Sequence, residues 1–82
     1  NPFNPMTEIK FTVHQSGEGA LQVFNLKGEM VRTLLSGNIA EGPHAISWDG
    51  LNNNGQEVSG GIYLYRLEVN GDASSRKMML VK

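Results

Sequence analysis

Cysteine is absent from the 82 residues, which removes disulfides, thiolate nucleophiles and zinc–thiolate centres in one step. An excess of either charge is absent too. With 7 Lys and Arg against 8 Asp and Glu, the chain lacks the positive field that phosphate backbones or anionic lipid require, so nucleic acid and membrane surfaces are poor partners. No run approaches the roughly 18 to 20 continuous apolar residues of a bilayer span, and no basic segment followed by an apolar run opens the chain. If the protein is exported, its signal peptide lies elsewhere. The first residue is Asn1 and not an initiator Met, and the chain reads as a fragment or processed product of something longer. A chain this short buries only about 60 to 70% of its unfolded surface, which leaves room for one core and little for a deep pocket.

Helical periodicity is nearly missing as well, and alternation of apolar and polar residues takes its place. Ile9, Phe11 and Val13 alternate with Glu8, Lys10 and Thr12 in a first strand that stops at the glycine-containing residues 16–19. Leu21 and Val23 mark a second strand. Asn25 and Gly28 occupy the first and fourth positions of a type I turn, and residues 30–35 return, with Val31, Leu34 and Leu35 breaking the alternation as a bulge does. Residues 37–43 read as a loop, and Ile46 and Trp48 share one face of a short strand. The Asp49-Gly50 and Asn54-Gly55 dipeptides predict an ordered loop over 49–61, with a short strand near Glu57 and Val58. Tyr63, Tyr65, Leu67 and Val69 define the clearest strand, expected to be central in its sheet. A tight turn at 70–72 leads into a last strand over 75–81.

Six to seven short strands and no helix predict an all-β, immunoglobulin-like antiparallel β-sandwich. Its expected core is Phe11, Val23, Ile46, Trp48, Tyr63, Tyr65 and Leu67, completed by Met78 and Leu80.

Catalytic constellations are missing: no Gly-x-Ser-x-Gly elbow, no phosphate-cradling glycine loop leading into a helix and no His-x-x-x-His pair occur. His14 and His44 stand alone, so no metal site, cofactor or enzymatic activity is expected. The Asn and Asp residues of 49–57 have the oxygen chemistry of a calcium loop. Leu51 fills the second ligand position of an EF-hand pattern, however, and loop capping is the better account. Trp48, Tyr63 and Tyr65 would suit a sugar-stacking platform only if exposed, and the alternation assigns them to the core. Arg76, Lys77 and Lys82 give the last strand a positive bias of the kind that guards sheet edges.

Taken in order, these residues resemble one family across the whole chain. The opening Asn1, Pro2, Phe3, Asn4 and Pro5, the hairpin 23–31 around Gly28, Gly42 and His44 ahead of Trp48-Asp49-Gly50, then Asn54-Gly55, Gly61-Ile62-Tyr63, Tyr65-Arg66-Leu67 and the closing Arg76-Lys77-Met78-Met79-Leu80-Val81-Lys82 look like the type A C-terminal sorting domain of the Bacteroidetes-type type IX secretion system. That domain is closely related in pattern to the immunoglobulin-like domain of flagellar hook-capping proteins. The flagellar relative is not expected to carry the two ends, and these tip the comparison toward the sorting domain.

The resemblance implies a single domain over 1–82, the C-terminal address label of a larger exported protein. Its partners would be N-terminal passenger domains and the outer-membrane secretion and sorting machinery, and its destination the cell surface or the medium by way of the periplasm. On this reading residues 76–82 carry recognition, while Gly28, Trp48, Asp49, Gly50, Gly61, Tyr63 and Tyr65 maintain the fold. A structural immunoglobulin-like spacer and an accessory carbohydrate-binding module of a secreted enzyme are the alternatives. Weak pairing of two copies through an edge strand is compatible with all three.

Overall fold

The computed structural model describes residues 6–82, so the opening motif at 1–5 lies outside the described residues. Six strands follow one another: β1 (Thr7–Val13), β2 (Gly17–Phe24), β3 (Met30–Ile39), β4 (Gly42–Trp48), β5 (Gly61–Val69) and β6 (Asp72–Leu80). They form two antiparallel sheets, β1 with β4 and the four-stranded β3-β2-β5-β6. The architecture is the all-β, immunoglobulin-like sandwich expected from the alternation, with no helix among the described residues.

Both sheets turn their apolar faces inward. Ile9, Leu21, Val23, Trp48, Tyr63 and Leu80 form one buried cluster, and Phe11, Ile46, Tyr65, Leu67 and Met78 pack around it half-buried. The centre therefore lies one or two residues away from several expected positions: Ile9 and Leu21 take the deepest places, while Phe11 and Tyr65 sit at the margin. A two-stranded sheet is too narrow to cover the four-stranded one, so inward-facing residues far from its middle stay partly wet.

Three expectations at strand ends need correction. The last strand, expected over 75–81, runs from Asp72 to Leu80, because Asp72 pairs with Val69 directly across the turn. β2 begins at Gly17, within the stretch read as a turn, because Gly17 and Gly19 pair with Ile39 and Gly37 of β3. β3 correspondingly runs to Ile39 and β4 starts at Gly42, which reduces the expected loop over 37–43 to Ala40 and Glu41. Glycine signals a turn only where the chain needs special dihedrals. At Gly19 it serves a close approach, since a Cβ there would strike the Glu68 carbonyl oxygen and come within 3.0 Å of the Val69 Cα. Gly19→Ala is accordingly expected to destabilise the domain by about 1 to 3 kcal/mol through overpacking, read as a lower Tm in thermal circular dichroism.

The irregularity expected in β3 is present twice. Register shifts fall between Leu21 and Gln22 and between Val23 and Phe24, so Leu34 and Val31 have no partner in β2. These are the residues that broke the alternation, and both pack against the core. The 70–72 turn has φ of 55° at Asn70 and 85° at Gly71, the two left-handed positions that a twisted hairpin favours.

Candidate functional site

The last strand is where the sequence concentrates its exposed cations, and its setting is built from the Trp48-Asp49-Gly50 corner. Trp48 is fully buried. Its ring meets Tyr63 edge-on, with centroids 5.0 Å apart, and its Nε1 donates to the Leu51 carbonyl at 3.0 Å. Arg32 donates to the same carbonyl at 3.0 Å and to Asp49 Oδ1 at 3.2 Å. Asp49 Oδ1 also accepts from the Leu51 backbone N–H at 3.1 Å. Gly50 is buried with φ +78°, and a Cβ there would sit 3.2 Å from Leu80 Cδ2. The corner thus leaves one small gap, and the last core residue of β6 fills it.

β6 is an edge strand: β5 pairs with one side of it, and on the other side the Thr7 hydroxyl donates to the Met79 carbonyl at 3.0 Å. Away from that contact, a groove of about 310 Å³ opens between the end of β1 and the start of β6, with Val13, His14, Leu67, Val69, Asp72 and Ser74 in its walls. The register puts Met78 opposite Tyr63 and Leu80 opposite Gly61 on the inner side, and Lys77 opposite Leu64 and Met79 opposite Ile62 on the outer side. Of the seven residues expected to carry recognition, Leu80 is 1% exposed and Met78 is half-buried, so these two side chains serve the core. Arg76, Lys77, Met79 and Val81 are exposed. Lys82 reaches Glu57, with Nζ 3.5 Å from the carboxylate.

The loop between β4 and β5 is ordered as expected, by side-chain caps. Asn52 Oδ1 accepts from the N–H groups of Asn54 at 2.9 Å and Gln56 at 3.0 Å, and an isolated bridge joins Leu51 to Glu57 in place of the expected short strand. Asn53 docks the loop on the β3 bulge, donating to the Val31 carbonyl and accepting from the Thr33 N–H, both at 3.0 Å.

Asn25 caps the β2–β3 turn in the same way. Its Oδ1 accepts from Lys27 and Glu29, its carbonyl from Gly28, and its Nδ2 donates to the Glu29 carboxylate at 2.8 Å. The shared spacing, Asn-x-x-Gly followed by Glu or Gln at 25–29 and 52–56, was visible in the sequence as a repeated cap that the separate turn assignments overlook. Asn52→Ala removes both acceptor contacts at a solvent-accessible turn. The expected cost is about 1 kcal/mol, with faster amide exchange confined to residues 52–58 as the measurement.

Neither histidine gathers ligands. His44 stacks on Phe11 with centroids 5.0 Å apart and places Nε2 2.8 Å from the Ala40 carbonyl. Among the described residues no group of three or more His, Cys, Asp or Glu could hold a metal ion. Trp48 and Tyr63 are unavailable as a sugar platform: both are buried, and the Tyr63 hydroxyl donates to the Ser59 carbonyl at 2.6 Å.

The family model of the FlgD Ig-like domain matches residues 6–74. The chain belongs to that family. As a FlgD Ig-like domain it is also similar to the solved structure of FlgD from P. aeruginosa, with a TM-score of 0.67 and 20% identity over 92% of this chain and 59% of that one. At that identity the likeness is one of fold, and this FlgD Ig-like domain spans about three-fifths of the length of the FlgD structure. Comparison with curated proteins found no match.

Proposed function

We propose that this FlgD Ig-like domain is a non-catalytic C-terminal signal of a larger exported bacterial protein, read by type IX outer-membrane machinery and directing its passenger through the periplasm to the cell surface or the medium. The observation that carries the reading is the construction of β6. It is the end strand of its sheet, with the Thr7 hydroxyl on the Met79 carbonyl at its outer edge; Arg76, Lys77, Met79 and Val81 are exposed, and Leu80 locks the strand to the Trp48-Asp49-Gly50 corner. A receptor strand could add to such an edge, with main-chain hydrogen bonds supplying affinity and the flanking cations specificity. The family match starts at residue 6 and stops at residue 74; the opening motif at 1–5 and the basic, apolar stretch 76–82, which resemble the sorting domain, lie outside it. A structural spacer is the second reading, favoured by the family match itself.

The test is export of a reporter fused ahead of residues 1–82, behind a signal peptide, in a host with a type IX system. The comparison fusion carries Arg76→Glu and Lys77→Glu, both at exposed positions, so the fold is kept. Reporter on the surface or in the medium only for the unaltered fusion supports the signal reading. Retention of both fusions in the periplasm, with the domain folded, points to the spacer.

A further inference from the structure

β6 ends the four-stranded sheet, and among the described residues it pairs with β5 alone. The backbone groups of successive residues in a strand point alternately to its two sides. The Met79 carbonyl points away from β5, since it accepts from the Thr7 hydroxyl of β1. The N–H and C=O groups of Lys77, Ser75 and Ala73 therefore point outward as well. β1 meets β6 at Thr7 and has parted from it at Val13, where the groove between them opens. From Asp72 to Lys77 every residue is exposed, and among the described residues no backbone partner lies on that side.

The side chains of this stretch select what pairs with it. Asp72 lies opposite Val69, Ser74 opposite Leu67 and Arg76 opposite Tyr65. Tyr65 and Leu67 pack against the core, so Asp72, Ser74 and Arg76 share the inner side of the sheet. Among the described residues neither Asp72 nor Arg76 takes part in an ion pair. Two opposite charges thus stand on one side of a sheet edge, with a small residue midway between them.

Two copies of one strand can pair antiparallel about a two-fold axis normal to the sheet, and the axis then passes through a residue that faces its own mate. An axis at Arg76 would set guanidinium against guanidinium. At Ser75 it would set Asp72 against Met78, and at Ala73 against Ser74. Only at Ser74 does Asp72 of each copy face Arg76 of the other, twice per dimer, and opposite charges directly across a ladder attract where like charges repel. The backbone agrees with this register. Ala73 of one copy faces Ser75 of the other with outward-pointing groups on both, which exchange their hydrogen bonds, and the Asp72–Arg76 and Ser74–Ser74 pairs fall at the alternate positions where side chains come closest. Lys77 faces Gly71 and the ladder ends there, so the contact between Thr7 and Met79 is undisturbed. Arg76 of the second copy lies over the groove in whose wall Asp72 stands.

We propose that a second copy of this chain is the partner of this edge: the two β6 strands pair antiparallel about Ser74, join both four-stranded sheets into one, and are held in register by reciprocal Asp72–Arg76 pairs. Each β6 stays in its own sheet. The dimer does not rest on the export reading, and a receptor strand adding to the same stretch has to displace the second copy. An edge contact of this kind buries less than about 1,200 Å², which places it among weak, reversible associations.

Sedimentation equilibrium of the 82-residue chain across micromolar to millimolar concentration is the test, with circular dichroism confirming the fold of each variant. A monomer–dimer equilibrium is expected. Arg76→Glu, which brings carboxylates face to face, is expected to weaken it about fivefold or more, and adding Asp72→Arg to restore it. The register is read with a single thiol, since the chain has no cysteine. Ser74→Cys sets two sulfurs at facing positions with Cα atoms about 4.5 Å apart, within disulfide reach, and is expected to oxidise to a linked dimer about tenfold or more faster than Ser36→Cys. Ser36 is exposed on β3, at the opposite edge of the sheet. A chain monomeric throughout the range overturns the proposal. So does a dimer indifferent to Arg76→Glu, a charge exchange that fails to restore it, or thiols at 74 and 36 that link at equal rates.

Discussion

Trp48→Ala is expected to leave no cooperative thermal transition above room temperature. The indole is fully buried at the centre of the core cluster, and removal of such a side chain costs about 3 to 5 kcal/mol in lost transfer energy and unfilled volume. The loss extends to polar contacts. The Leu51 carbonyl keeps its Arg32 donor but loses the indole N–H, and Tyr63 loses the ring it meets edge-on. At roughly 0.05 to 0.15 kcal/mol per residue, a chain of 82 residues holds a margin of roughly 4 to 12 kcal/mol, and a domain this small, at the lower end of that range, loses most or all of it by this single change. Denaturant titration followed by far-ultraviolet circular dichroism measures the effect; a variant within 1 kcal/mol of the parent would mean that Trp48 is not the keystone its burial indicates.

Deleting residues 76–82 is expected to unfold the domain outright. The segment brings Met78 and Leu80 into the core and supplies the β6 half of the pairings from Tyr65–Arg76 to Gly61–Leu80. Its loss uncovers Gly50, exposes the inner face of β5 and strips one side of that strand of its ladder. Leu-to-Ala changes in cores alone cost about 2 to 5 kcal/mol, and here two core residues go together with their backbone hydrogen bonds. Limited proteolysis is the readout, with rapid cleavage expected within β5. Failure of export by such a truncation would therefore report unfolding before it reported recognition. Substitutions at exposed Arg76 and Lys77 separate the two, and a truncated domain that resisted protease would restore the deletion as a clean test.

Alternation made most of the fold legible. In β1, β2 and β5 every second residue faces the core, and Tyr63, Val23 and Trp48 are found where a period of two places them. The strand limits at Gly17, Ile39 and Gly42 were less legible, because glycine has two uses, as a turn residue and as a residue for close strand contact, and local sequence does not distinguish them. The depth of burial was not legible either. It depends on which strands share the narrow sheet, and β1 pairs with β4 across an intervening hairpin that local pattern cannot reveal. At the candidate site, the basic bias of the last strand was plain, but the division of its residues between Leu80 inside and Met79 outside depends on register with β5.

The seat of Leu80 against Gly50 also governs when the chain can settle. The β2–β3 and β5–β6 hairpins are local and can form in microseconds, but the β2–β5 and β1–β4 ladders join distant segments, and the core they enclose is complete only with residue 80 in place. A nascent chain emerging from the ribosome amino end first holds Trp48 in an unfinished pocket until residue 80 has appeared. Folding of this domain is thus deferred to the moment β6 is released, and a stalled or clipped translation product would remain open to chaperones and proteases.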